Sequence, residues 1–416
     1  MTPEIKQRIE QIRRGEVPEG YKQAGQNIVP NTWNRLSFEQ VAIVRSGLVS
    51  PKTEPYSSML HIGPENIEKD TGKIENVRSA SELGLISGKF YFDSSSIVYS
   101  KIRPNLNKVC VPDFEGICSA DCYSIKARDN VDKNYLFTLM LSHQFYKRAV
   151  ACSMRTGMPK INQDDLNAIC LVFPDNLEEQ QKIAAILTTQ DRVIELKEKR
   201  LAEKQRQKKY LMQQLLTGKK RLPRFSGAWK ADLLGKLFLE RKETNCEGLQ
   251  MLAITGTQGI IPRKELDLKD NSSEDKSKYL RVCVGDIGYN TMRMWQGVSA
   301  YSNYEGIVSP AYTILKPSSS INAKYFAYLF KTPEIIFLFY RFSQGLVDDT
   351  RNLKYENFKK IKVFYPPDIE EQTAIAEVLS TADHEIELLQ QDIEQEKQKK
   401  KALMQLLLTG IVRVKI

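Results

Sequence analysis

The sequence predicts an α+β chain: two pseudo-repeated mixed α/β domains joined by two long helices that pair as an antiparallel coiled coil. Three observations carry this. A stretch of about forty residues occurs twice, as LEEQQKIAAILTTQDRVIELKEKRLAEKQRQKKYLMQQLLTG and as IEEQTAIAEVLSTADHEIELLQQDIEQEKQKKKALMQLLLTG, with Glu178 and Glu370 standing 192 residues apart. A period this long signals duplication of a whole domain with its helix, not a solenoid repeat. Second, both copies place apolar residues at a 4-3 spacing, the pattern of a coiled-coil seam. Third, a chain of 416 residues exceeds what one hydrophobic core serves.

The seam of the first copy runs through Ile183, Leu187, Ile194, Leu201, Leu211 and Leu215; that of the second runs through Ile375, Leu379, Ile386, Ile393, Leu403 and Leu407. Gln190, Lys197, Lys204 and Lys208 interrupt the first, and Glu396 and Lys400 the second, so each seam has apolar ends and a polar middle. Antiparallel pairing inside one chain brings the apolar start of one helix to the apolar close of the other. Gly218 and Gly410 stand where each helix stops in a left-handed cap.

The organisation in chain order is a helix and linker over 1–30, a first domain over 31–176, a long helix over 177–218, a linker and second domain over 219–368, a second long helix over 369–410, and a tail over 411–416. IKQRIEQIRRG near the start reads as helix. The passage from there to Trp33 echoes the one from Gly218 to Trp229, so both domains are entered from a helix end by similar linkers. Candidate strands are FEQVAIVRSG, KFYFD, SIVYSKI and DCYSIKA in the first domain, and LRVCVGDIGYN and AYTILKP in the second. GICSADCYSI parallels GIVSPAYTIL, and each is followed by one amphipathic helix, KNYLFTLMLSHQFYKRAV or AKYFAYLFKTPEIIFLFYRF.

Composition limits the function classes. Hydrophobic content of 41% and charged content of 27% are ordinary for a globular protein. The charged N-terminus is no signal peptide, and no window approaches a membrane span. Seven cysteines at irregular spacings suit reduced thiols in a cytoplasm. With three histidines and no CxxC pair, no metal site is expected. The net charge of +10 is concentrated: between Lys197 and Arg224 stand 11 basic residues against Glu198 and Glu203. Such a cluster is either a solvated helix end or a surface for nucleic acid or an acidic partner.

Catalytic motifs fail. There is no GxGxxG and no Walker A, and the YPPD at 365–368 only scrambles an amino-methyltransferase signature. Pro174-Asp175 with Glu195-Leu196-Lys197 imitates a nuclease PD…ExK, but about 20 helical residues, roughly 30 Å, separate the carboxylates. Neither catalytic residues nor a cofactor is expected.

The order domain, EEQ-to-LTG helix, second domain, second helix resembles the specificity subunit of type I restriction–modification enzymes. The likeness covers essentially the whole chain and is most specific in the two helices and their lead-in strands, LVFPD and VFYPPD. It implies that each domain is a target recognition domain reading one half of a bipartite, asymmetric sequence in double-stranded DNA. The paired helices would set the spacing and dock two modification (adenine methyltransferase) subunits, with restriction (motor-nuclease) subunits joining them. Lys101, Arg103, Lys160, Arg293, Arg351 and Lys354, in polar Gly- or Pro-bearing loops, are the candidate DNA contacts. Three alternatives stay open: an enzyme in its own right, a protein-binding scaffold, and a standalone DNA-binding protein.

Overall fold

The computed structural model describes residues 2–153, 159–246, 248–256, 259–266 and 275–416, and of Asp349 the backbone alone. The chain divides into two compact units, one of Met1–Leu196 with Ile393–Ile416, the other of Lys197–Asp392. Each unit thus contains one half of each long helix.

The first unit opens with helix Pro3–Arg13, capped by the Thr2 side chain, and a hairpin of Tyr21–Ala24 with Asn27–Pro30. Its centre is an antiparallel four-stranded sheet in the order Val109–Cys110, Ser96–Ser100, Cys122–Ala127, Ala42–Val44. A five-stranded sheet follows the order Leu48–Val49, Lys89–Phe92, Gly116–Cys118, Leu60–Ile62, Arg78–Ser79, with Gly116–Cys118 parallel to Leu60–Ile62 and the other pairs antiparallel. Trp33–Ser37 pairs with Cys170–Pro174, the strand that leads into the first long helix. The core gathers Trp33, Phe38, Tyr99, Tyr135, Phe145 and Phe173, and both long helices add to it: Ile183 and Leu187 from one, Leu407 and the following Leu408 from the end of the other.

The second unit repeats the plan. Its four-stranded sheet runs Phe238–Arg241, Tyr312–Pro317, Ile287–Asn290, Ser299–Tyr301, and Lys230–Leu233 pairs with Lys362–Tyr365 before the second long helix. Phe238, Tyr289, Phe326 and Phe358 fill the core, joined by Leu215 and the following Leu216 at the end of the first long helix and by Ile375 and Leu379 of the second.

The long helices span Leu177–Leu215 and Ile369–Leu407. They are antiparallel within each unit. In the first, Gln190 donates to Glu396 at 2.7 Å and Lys400 pairs with Asp191 at 2.6 Å. In the second, Lys197 pairs with Asp392 at 2.8 Å, Lys204 with Glu385 at 2.6 Å, and Lys208 with Asp383. The polar middle is therefore cross-linked by charge at the positions where a seam wants apolar residues. Of the expected seam, Ile183, Leu187, Ile194, Leu215, Ile375, Leu379, Ile393 and Leu407 are buried, while Leu201, Leu211, Ile386 and Leu403 are half-buried. The buried end positions pack into domain cores as well as toward the other helix.

Local expectations fail in three places, each for a readable reason. FEQV is a helical turn, Phe38–Val41, before a short strand Ala42–Val44, because Gln40 reaches back to the Ser37 amide at 2.8 Å in a capping box. The single amphipathic helices are pairs: Ser142 ends Lys133–Leu141 and caps His143–Cys152, and Pro333 starts a new helix after Ala323–Leu329. LRVCVGDIGYN is two strands in different sheets, Leu280–Val282 and Ile287–Asn290, separated by a turn with Gly285 at φ +96°.

Candidate nucleic-acid interface

The EEQ signature acts at the junction of helix and domain. Glu179 and Gln180 are buried at the start of the first long helix, as are Glu371 and Gln372 at the start of the second. Gln180 accepts from the Asp132 amide at 2.8 Å and donates to the Pro174 carbonyl at 3.0 Å. Gln372 does the same with the Asn322 amide at 2.8 Å and the Pro366 carbonyl at 2.9 Å. One amide side chain thus satisfies an orphan donor ahead of a domain helix and a carbonyl of the lead-in strand. Each glutamate takes a forked arginine: Arg413 donates to Glu179 at 2.7 Å, and Arg221 to Glu371 at 2.6 Å. Arg221 and Arg413 stand 192 residues apart, the same offset as the glutamates.

The glycines ending the helices complete the junction. Gly218 has φ +71° and Gly410 φ +72°, and each lies against an indole ring, that of Trp229 or of Trp33; a Cβ at Gly410 would also meet the Pro30 ring at 2.5 Å. Much of the basic stretch from Lys197 to Arg224 is consumed here and along the helices: Arg221, Lys197, Lys204 and Lys208 bind carboxylates within the unit, and Arg206 pairs with Glu203. Lys219, Lys220 and Arg224 remain exposed.

Of the candidate contacts, Lys101, Arg103 and Lys160 form one rim in the first unit. The Lys160 backbone bridges Ile102, the Arg103 amide donates to the Pro159 carbonyl at 2.8 Å, and the Ile161 amide to the Lys101 carbonyl at 2.9 Å. Arg103 and Lys160 are exposed. Lys101 is half-buried, its ammonium 5.3 Å from the centre of the Tyr123 ring and 5.9 Å from that of Phe90; burial and the charge of Lys160 lower its pKa.

The second unit likewise joins Arg293, Arg351 and Lys354, since the Leu353 amide donates to the Thr291 carbonyl at 2.9 Å. Arg293 and Lys354 are exposed. Arg351 is packed: its guanidinium lies 4.1 Å from the centre of the Tyr340 ring and 5.9 Å from that of Trp295, and it pairs with Asp348 at 3.4 Å. Lys101 and Arg351 therefore shape their rims, and the other four residues face solvent.

The nuclease-like fragment has other partners. Asp175 accepts from Asn34 at 2.6 Å, and Glu195 binds Arg192 at 2.7 Å. Among the described residues no cluster of three or more His, Cys, Asp or Glu has the geometry to hold a metal ion. All seven cysteines are free thiols. Cys110, Cys118 and Cys122 lie in a small apolar core, where burial pushes Cys118 up to about 12 and raises the other two. No helix among the described residues is long and apolar enough to cross a membrane.

Comparison with known proteins identifies what this double arrangement is related to. The family model of the type I restriction modification DNA specificity domain matches residues 65–206 and 268–398, over half the chain in two segments. The type I restriction enzyme EcoDI specificity subunit of Escherichia coli is 39% identical over 181 residues, 44% of this chain and 38% of that protein. The type I restriction enzyme MjaVIII specificity subunit of Methanocaldococcus jannaschii is 30% identical over 207 residues, 47% of this chain and 48% of that protein. The matched stretch thus spans less than half the length of either relative. The crystal structure of the type I restriction–modification system S subunit from M. genitalium shares the fold with a TM-score of 0.56 at 14% identity, covering 92% of this chain and 96% of that one. The two matched segments each run from a globular domain into its long helix, and this chain belongs to the type I restriction modification DNA specificity domain family.

Proposed function

We propose that the chain is the DNA-recognition subunit of a type I restriction–modification complex and is not itself catalytic. Each globular domain reads one half of a bipartite, asymmetric target in double-stranded DNA, where base edges are open in the major groove. The paired helices set the spacing of the half-sites and dock two modification (adenine methyltransferase) subunits, with restriction subunits joining the assembly in the cytoplasm. The recognition domains are assigned to 31–176 and 219–368 and the spacer segments to 177–218 and 369–410, helical through Leu215 and Leu407. Arg103, Lys160, Arg293 and Lys354 are proposed as phosphate or base contacts, with Lys101 and Arg351 holding the rims that carry them.

The observation that carries this reading is the duplicated junction combined with unlike rims. Glu, Gln, Arg, Gly and Trp recur at both junctions with the same glutamate–arginine and glutamine–backbone bonds, while the rims share an arginine at equivalent positions, Arg103 and Arg293, and differ elsewhere, as at Lys101 against Thr291. Two equivalent mounts with different faces suit a target whose halves differ. Sequencing methylated bases in a host with and without the chain tests it. A two-part asymmetric motif that vanishes with the chain is expected, and replacing 31–174 by a relative's domain should alter one half only. Methylation that is indifferent to the chain overturns the proposal.

A further inference from the structure

The rim of the first unit carries, beside its cations, a carboxylate that is held in place. Glu65 lies on the turn Pro64–Asn66, just beyond the C-terminal end of Leu60–Ile62 and next to the parallel strand Gly116–Cys118. Asn66, 8% exposed, closes the turn: its oxygen accepts from the Gly63 amide at 2.9 Å, and its nitrogen donates to the carbonyls of Glu75 at 3.0 Å and Asn76 at 3.1 Å. The Lys108 ammonium donates to the Pro64 carbonyl at 2.6 Å. The Glu65 carboxylate folds over Gly63, in the space a Cβ would fill.

Backbone bonds join this turn to the cationic rim. The Ser119 amide donates to Ile62 at 2.9 Å, and the Lys101 amide to Asp121 at 2.9 Å. Both bonds end on the short loop 119–121, so the Glu65 turn and the Lys101 segment flank one loop. Yet Glu65 is exposed and forms no ion pair among the described residues. A carboxylate beside phosphate-binding cations is repelled by phosphate and weakens nonspecific binding. Against base edges in the major groove, an acceptor-only carboxylate suits an exocyclic amino group, best the N4 of cytosine, because the N7 acceptor beside the adenine amino group, the acceptor edges of guanine and the O4 of thymine all repel it.

We infer that Glu65 is a base-reading residue of the first domain, accepting the exocyclic amino group of a cytosine in the major groove. This rests on the DNA-recognition reading above. The test selects duplexes from a randomised pool with the full chain in complex with its modification subunits, comparing wild type, Glu65→Gln and Gly63→Ala. Glu65→Gln should cut discrimination at one base pair of one half-site by about tenfold, and move it toward adenine, because an amide both donates and accepts. Gly63→Ala, which keeps the carboxylate but takes its seat, should relax the same base pair. Matching thermal melts establish that both variants are folded. An unchanged motif, or equal weakening on selected and random duplexes, overturns the role of Glu65 while leaving the wild-type motif intact. A wild-type chain that selects no two-part motif overturns the parent reading, and this one with it.

Discussion

The two junctions use the same residues but differ in how completely those residues are satisfied. In the first unit the buried Glu179 serves Arg413 and also the Trp33 indole, which donates to it at 3.3 Å. In the second, Glu371 serves Arg221, whose guanidinium lies 5.7 Å from the centre of the Trp229 ring, and the Trp229 indole nitrogen has no partner among the described residues. The first junction thus ties its indole into the polar network, whereas the second ties its arginine also to the Gly227 carbonyl at 2.8 Å and leaves the indole with a ring contact. A repeated motif fixes which residues meet, while its surroundings fix how much each contact contributes.

Truncating the glutamates separates the two cases most strongly. Glu371→Ala leaves a partly buried guanidinium with the Gly227 carbonyl but no counter-charge, which costs about 3 kcal/mol, the low end for a broken buried pair because Arg221 keeps 25% of its side chain exposed. Glu179→Ala also strands the Trp33 nitrogen and should cost about 1 kcal/mol more. Urea unfolding gives the totals, and amide exchange shows which unit opens. Equal losses would mean that the indole bond adds nothing.

The glutamines come next and should behave alike. Gln372→Leu leaves the Asn322 amide and the Pro366 carbonyl without their side-chain partner, at about 1–3 kcal/mol for the pair. Gln180→Leu strands the Asp132 amide and the Pro174 carbonyl, and additionally the Asn130 carbonyl, to which Gln180 donates at 3.2 Å. Its loss should therefore be at least as large.

A third contrast responds to pH. The residue before the cap of the second core helix is Lys331 in the second unit and the buried Leu141 in the first. Lys331 donates to the Gly297 carbonyl at 2.7 Å, and burial, with Lys208 nearby, pulls its pKa down to about 8 from an ordinary 10.5. Below pH 8 both folded and unfolded chains hold this proton. Between about 8 and 10.5 only the unfolded chain does, so stability contributed by this site rises with pH across that window. The rise is about 1–2 kcal/mol after allowance for solvent. Lys331→Met should flatten it relative to wild type, whereas Leu141→Met should leave the slope unchanged. Parallel pH profiles for wild type and Lys331→Met would remove the contrast.

Much of this was legible in the sequence because duplication supplies an internal comparison. The helices, their antiparallel sense and the two-domain plan follow from the 192-residue offset and from the apolar ends of the seam. The reason for EEQ was hidden: Arg221 and Arg413 repeat at the same offset, but nothing local says that each meets the glutamate of the other helix. Boundaries failed where one polar or cyclic residue overrides periodicity, as with Gln40, Ser142 and Pro333. The six loop residues singled out from the sequence fall into two groups, Lys101 with Arg103 and Lys160, and Arg293 with Arg351 and Lys354, because backbone bonds join their segments. Which members are packed was not readable, because the stacking of Arg351 on Tyr340 and Trp295 joins segments far apart in sequence. Glu65 was missed because a lone carboxylate carries no motif, and only the fold shows its turn closed by Asn66.

The smallest predicted effect lies along the helices themselves. Lys400 with Asp191 in the first unit and Lys208 with Asp383 in the second are both cross-helix pairs at seam positions, with lysine side chains 14% and 24% exposed. Their settings differ. Asp383 also accepts from the Tyr328 hydroxyl at 2.7 Å, and the Lys208 ammonium lies 5.7 Å from the centre of that ring, so the second pair belongs to a network. Pairs with one exposed partner couple by about 0.2–1 kcal/mol, because water competes for the charges and two flexible side chains must be held. A double-mutant cycle to alanine should place Lys400–Asp191 near the bottom of that range. Lys208–Asp383 should lie nearer the top while Tyr328 is present, and Tyr328→Phe should bring the two together. Raising the salt to about 1 M shortens the screening length to roughly 3 Å and should shrink the first coupling more than the second, whose hydroxyl bond does not depend on net charge in the same way. Couplings that are equal in low salt and fall together would show that both units hold their helices by simple charge attraction, with no added contribution from the ring.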